Sequence, residues 1–339
     1  MFSSRTLLAS ALLAGTFLGG SAMAQPVLEP ATQRFVESLA GSAPIYTLTP
    51  GAARAVLHEA QSGAIAKPAV EISDRTLPVG PTGQTRIRVI RPHGAHGALP
   101  VVMYFHGAGW VMGDTTTHDR LVRDLAVGTN AVVVFVDYER SPEQRYPVAV
   151  EQDYAVTTYV AEHAREFNVD AGRLAIAGDS VGGNMAAVVA LLAKERHGPA
   201  IRAQLLFYPV TDAAMSGGSY REFAEGPWLT AKAMAWFWDQ YEPDTAKRAD
   251  VHVSPLNASL EHLRGLPPAL VITDENDVLR DEGEAYARKL SQAGVRTEAV
   301  RYNGTIHDFV MLNALSGTPA SRAAVTQAIT FLRGALGGH

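Results

Sequence analysis

Residues 173–184 read RLAIAGDSVGGN. The first part is a short apolar run with the composition of a strand buried on both faces. The adjoining stretch, MAAVVALLAKERHG (185–198), has the apolar spacing of a helix. Between them Gly178, Ser180 and Gly182 spell G-x-S-x-G. That spacing suits a serine on a sharp strand-to-helix turn, with its hydroxyl lifted above the end of a sheet.

On either side of this turn, further apolar runs occur at LPVVMYF (99–105), AVVVFVDY (131–138), AQLLFYPV (203–210) and PPALVIT (267–273). Helical segments such as HDRLVRDLAVG (118–128) and VEQDYAVTTYVAEHA (150–164) separate them. This alternation predicts an α/β fold with a mostly parallel sheet, right-handed crossovers and flanking helices. Two alternating stretches, EISDRTLPV (71–79) and QTRIRVIRP (84–92), add strands ahead of it. Residues 25–70 carry helical spacing and read as a helical N-terminal cap, with the core running from 71 to 339. The aromatic-rich stretch from about 212 to 250 (Tyr220, Phe223, Trp228, Trp236, Phe237, Trp238, Tyr241) is placed to form a second cap segment.

The chain has 339 residues, 47% of them hydrophobic, and a formal net charge of -5 with no basic block, which disfavours a nucleic-acid partner. There are no cysteines, which excludes a disulfide framework and a thiolate nucleophile. Residues 1–24 read as a signal peptide: Arg5, the apolar run TLLASALLAGTFL, then Ala22-Met23-Ala24 ahead of a cleavage site before Gln25. The run from Thr6 to Leu18 is short of the roughly 20 residues that span a bilayer, so no stable membrane anchor is expected. The expectation is export to a bacterial periplasm or to the medium.

A serine hydroxyl is a weak nucleophile until a base takes its proton, and the base needs a carboxylate to orient it. On this kind of turn the partners come in chain order serine, acid, histidine. Of eleven histidines only His307 and the terminal His339 come after both Ser180 and the acidic cluster TDENDVLRDEG (273–283). His307, directly after the strand-like RTEAVRY, is therefore expected to be the base. Asp281 has a structural explanation at the start of a helix, where an acid complements the dipole. Asp274, Glu275 and Asp277 remain as candidate acids, and spacing does not choose among them. HGAGW (106–110) comes after the strand VVMYF, where a hydrolase of this kind carries the backbone donors for an oxyanion.

Together HGAGW, DYERSPEQRYPVAVEQ (137–152), GDSVGGN (178–184), ENDVLRDE (275–282) and IHDF (306–309) resemble the motifs of the bacterial hormone-sensitive-lipase-like esterases. The resemblance spans roughly residues 75 to 315. It implies the α/β-hydrolase fold and a serine carboxylesterase with Ser180 as nucleophile, His307 as base and Asp277 as acid. It also implies an oxyanion hole built from the amides of Ala108, Gly109 and Val181, with His106 structural. Ala108 stands where the family carries a middle glycine, and Val181 where alanine is more usual; both narrow the site and favour short acyl chains. Trp110, Tyr208, Trp228 and Phe309 are candidate pocket residues. The expected partner is a small-molecule ester, with no cofactor or metal implied by any G-x-G-x-x-G, Walker or H-E-x-x-H motif. An amidase or thioesterase would use the same machinery, and a non-catalytic ligand-binding member of the fold is the rival reading.

Overall fold

The computed structural model describes residues 26–337. The expected signal peptide, its cleavage site and His339 lie outside the described residues. Among the described residues no helix is long and apolar enough to cross a membrane.

One eight-stranded sheet runs in the order β1-β2-β4-β3-β5-β6-β7-β8. The strands are β1 (Val70–Leu77), β2 (Thr85–Pro92), β3 (Leu99–Phe105), β4 (Val132–Asp137), β5 (Val169–Asp179), β6 (Gln204–Phe207), β7 (Ala269–Asn276) and β8 (Thr297–Ile306). The β1–β2 and β2–β4 pairs are antiparallel, and every pair from β4 to β8 across the sheet is parallel. All seven residues of β3 are buried, as a run apolar on both faces requires in a strand covered on both sides. β1 is mostly exposed along its length and forms an edge of the sheet.

The longer helices are α1 (Pro30–Ser38), α2 (Pro50–Ala60), α3 (Asp119–Thr129), α4 (Val148–Glu162) and α5 (Val181–Glu195). Two short ones, α6 (Gly218–Glu222) and α8 (Leu260–Leu263), flank α7 (Ala231–Tyr241); α9 (Arg280–Gln292) and α10 (Pro319–Leu336) complete the set. Helix α3 packs with α10, and α4 with α5, against the sheet. From Val181 to Ala193 every residue of α5 is buried, so this apolar helix serves as core rather than as a solvent-facing amphipathic element.

Two polar side chains dock α2 on this core. From α2, Arg54 donates to Val111 O (2.8 Å) and Ser141 O (3.1 Å) and forks onto Glu143. Gln61, at the end of α2, donates to Thr117 O (2.6 Å) and Met311 O (3.0 Å), and its Oε1 accepts from Asn313 N–H (2.8 Å). Arg120 on α3 also donates to Met311 O (2.8 Å), so the segment after β8 is held from both sides. The parallel strands β3, β5, β6, β7 and β8 end at Phe105, Asp179, Phe207, Asn276 and Ile306. The loops just beyond these ends are where sheets of this type bind ligands.

Candidate active site

Ser180 sits between the last residue of β5 and the first of α5, with φ 55° and ψ −120°. A non-glycine residue held at positive φ costs of order 1–3 kcal/mol and persists only where its surroundings enforce it. Here the Ser180 amide donates to Phe207 O (2.9 Å), and its carbonyl accepts from Asn184 N–H and Val210 N–H (both 3.1 Å). Glycine is required on either side. A Cβ on Gly178 would overlap the carbonyl of Gly182, and one on Gly182 would overlap the carbonyl of Phe105. The G-x-S-x-G spacing is thus the sequence form of a steric demand.

His307 comes directly after β8, and its Nε2 lies 2.9 Å from Ser180 Oγ. Its Nδ1 lies 2.8 Å from Asp277 Oδ2, just beyond β7. With a carboxylate facing Nδ1, the proton belongs on that nitrogen and Nε2 is left to accept from the serine hydroxyl. Asp277 Oδ1 accepts from Leu279 N–H (3.0 Å), which fixes the orientation of the carboxylate toward the ring. All three side chains are almost wholly buried. Burial alone would make His307 harder to protonate, but the carboxylates of Asp277 and Asp308 outweigh it and hold its pKa above the ordinary imidazole value. Burial likewise opposes charge on Asp277, and His307 reverses that, keeping its pKa below the usual carboxylate value. Of the other two candidate acids, Glu275 Oε2 accepts from Gly304 N–H (2.7 Å), and Asp274 lies buried beside Asp277, within 4.8 Å of a His307 ring nitrogen.

The HGAGW loop leaves β3 with three successive residues at positive φ: Ala108 at 74°, Gly109 at 69° and Trp110 at 59°. Among the described residues the amides of Ala108, Gly109 and Val181 donate to no acceptor. Gly107 N–H, by contrast, donates to Asp179 Oδ1 (3.1 Å). Asp179 also accepts from Tyr104 Oη (2.6 Å) and faces His118 Nε2 at 3.2 Å, all in a region closed to solvent. Burial disfavours both charges there, yet each supports the other: His118 is held above, and Asp179 below, its ordinary pKa. This second imidazole–carboxylate pair braces the HGAGW loop from beneath. Sequence reasoning did not find it; the only available signal was an acidic residue between Gly178 and Ser180. His106 stacks on Tyr138 with ring centres 4.1 Å apart, and burial, aided by His118, pushes its pKa down to about 3. It is a neutral packing ring.

A cavity of about 550 Å³ opens over Ser180 and His307. Ala108, Gly109 and Phe237 wall it beside Ser180, while Leu48 and Leu57 from the N-terminal region also line it. Trp228 lines it and donates from Nε1 to Asp308 Oδ2 (2.9 Å). The other three candidate pocket aromatics lie outside the lining. Trp110 is fully buried, stacked on Tyr241 at 4.0 Å and against Trp238 at 4.7 Å. Tyr208 sits edge-on to the His307 ring at 4.7 Å, and Phe309 packs behind it against Tyr208 and Tyr302. A larger cleft of about 750 Å³, bordered by Arg173, Arg202 and Arg296, includes none of these site residues in its lining.

A family model described as the alpha/beta hydrolase fold matches residues 102–311. The crystal structure of a thermostable esterase from Pseudomonas putida ECU1011 is similar with a TM-score of 0.91 at 53% identity, over 93% of this chain and 99% of that one. Carboxylesterase NlhH of Mycobacterium tuberculosis is 35% identical over 320 residues, 93% of this chain and 98% of the relative. An ethyl acetate hydrolase of Pseudomonas putida is 36% identical over 247 residues, 72% of this chain and 77% of the relative. With this family match and two relatives matched over nearly their whole length, the chain belongs to the hormone-sensitive-lipase-like esterases of the α/β-hydrolase fold and is an ester hydrolase.

Proposed function

We propose that this ester hydrolase works through an acyl-enzyme on Ser180 and prefers short acyl groups. The observation that carries the reading is the continuous chain Ser180 Oγ, His307 Nε2, His307 Nδ1, Asp277 Oδ2, with contacts of 2.9 and 2.8 Å. His307 Nε2 takes the hydroxyl proton as Oγ bonds to the ester carbonyl carbon. The carbonyl oxygen becomes an oxyanion and is met by the amides of Ala108, Gly109 and Val181. Collapse of the tetrahedral intermediate breaks the bond to the alcohol oxygen, which leaves with the proton from His307. Water then repeats the sequence, its proton passing to His307 and back to Ser180 as the acid departs.

The preference for short acyl groups is supported by the Ala108 methyl and the Phe237 ring on the cavity wall beside Ser180. A relative named for ethyl acetate agrees with it. The helices of residues 25–70 and the segment 212–250 act as two cap segments over the cavity, and the chain is exported after cleavage before Gln25. The test is a panel of p-nitrophenyl esters on the purified protein. Acetyl to butyryl esters are expected to give the highest kcat/KM, and equal turnover of decanoyl and longer esters would overturn the preference.

A further inference from the structure

Asp274 has a fully buried carboxyl group near the end of β7. A carboxyl oxygen of Asp274, one of Asp277 and a ring nitrogen of His307 all lie within 4.8 Å of one another. Among the described residues neither oxygen of Asp274 receives a hydrogen bond from an N–H or hydroxyl donor. Asp277, by contrast, faces His307 Nδ1 and accepts from Leu279 N–H. Two buried carboxylates this close, facing a single imidazolium, cannot both ionise. The charge therefore rests on Asp277, which has the donors, and the proton on Asp274, which has none.

We propose that Asp274 stays a neutral carboxylic acid at neutral pH, donates its proton in a hydrogen bond to Asp277, and so acts as a positioning residue that moderates the basicity of His307. The inference rests on the reading of Ser180, His307 and Asp277 given above and extends their chain by one member. A carboxylate that accepts from Asp274 shares its charge between two donors and offers less of it to His307 Nδ1–H. His307 is then less basic than Asp277 alone would make it, which keeps a general base nearer the working pH. Holding a carboxylic acid neutral by an apolar site, so that it can donate, is an established use of burial. Burial and the neighbouring Asp277 both push the Asp274 pKa well above the carboxylate range, in line with the geometry.

Other titratable groups face this cluster. Tyr208 from the end of β6 meets the edge of His307. Asp308 Oδ1 lies 3.5 Å from His307 Nε2. Tyr302 is the register partner of Asp274 on β8. Tyr220 of α6 and Glu282 of α9 lie toward Asp277. None of these brings a cation, so His307 is the group whose charge Asp274 modulates.

The experiment is the pH profile of kcat/KM for the intact protein and for Asp274→Ala and Asp274→Asn. Removing a neutral donor leaves Asp277 more strongly basic, so Asp274→Ala should move the acid limb upward by about one pH unit. Asp274→Asn keeps a neutral donor and should leave the limb in place. If Asp274 were ionised, both substitutions would move the limb downward, and that result, or no movement with Ala, overturns the proposal. Should Asp274→Ala fail to fold, the infrared difference between the unaltered protein and Asp274→Asn at neutral pH decides. A carbonyl band of a protonated acid that shifts in D2O is expected, and its absence overturns the proposal. A Ser180→Ala variant that retained turnover would instead defeat the underlying reading, so the two failures are distinguishable.

Discussion

Trp228 Nε1 donates a 2.9 Å hydrogen bond to Asp308 Oδ2, tying the segment after α6 to the residue immediately beyond His307. Asp308 is held at φ 68°, a conformation an ordinary residue adopts only when something fixes it. The cavity wall and the segment carrying His307 are thus mechanically joined.

Trp228→Phe keeps the ring in the cavity wall and removes the donor. The expected result is a several-fold rise in KM with little change in kcat, and a loss of about 1 kcal/mol in stability, the usual worth of one such bond. Steady-state kinetics and urea unfolding check both. A fall in kcat with unchanged KM would mean that the bond serves the chemistry rather than the pocket.

Ala108 carries a methyl on the cavity wall while its backbone sits at φ 74°. Ala108→Gly removes the methyl and relieves the left-handed strain, and the added freedom of the unfolded glycine offsets much of that gain. Stability is therefore expected to change by less than about 1 kcal/mol. Relative kcat/KM for octanoyl over acetyl esters should rise by about 10-fold or more, the discrimination a methyl-sized contact supplies. An unchanged ratio would place the limit on chain length elsewhere, with Phe237 the next wall residue to test.

The pH dependence derives from the raised pKa of His307, which Asp277 and Asp308 hold up against the opposing effect of burial. Proton abstraction needs the neutral ring, so kcat/KM should rise with pH and level off only above the ordinary imidazole value of about 6.5. The linked stability has the opposite sense. His307 stabilises the fold most below its unfolded pKa, and that contribution is lost as pH rises through the folded value. Activity is therefore expected to gain on the alkaline side while thermal stability declines there. An acid limb below the ordinary imidazole value would contradict the electrostatics of the site.

Much of this was legible in the chain because the relevant signals are local. The run 99–105 reads as a buried strand and is β3 residue for residue, and G-x-S-x-G marks a turn whose glycines are sterically enforced. Chain order separated His307 from the histidines ahead of the acidic cluster 273–283. Less was legible where the partner is distant in sequence. β5 begins at Val169, ahead of its apolar run, because Leu99 of β3 pairs with Val169 across a register shift. The pairing of His118 with Asp179 joins the residue before α3 to the last residue of β5, 61 positions apart, and an acid next to Ser180 does not by itself name that partner. Composition also cannot tell a pocket aromatic from a packed one. Trp110 comes at the end of the HGAGW loop, yet its ring stacks on Tyr241, whereas Trp228 lines the cavity. Among Asp274, Glu275 and Asp277 the choice depends on which carboxylate faces a ring nitrogen 30 residues later, and only the fold places it there.

The central claim is that Ser180 is the acylated nucleophile, and covalent labelling tests it most directly. A fluorophosphonate should add once per chain, and peptide mass spectrometry should find the adduct on Ser180. Ser180→Ala should take up no label and lose about 10⁴ to 10⁶ in kcat, since His307 and Asp277 then have nothing to activate. Label on another residue, or near-normal turnover by a folded Ser180→Ala protein free of host esterase, would contradict the mechanism.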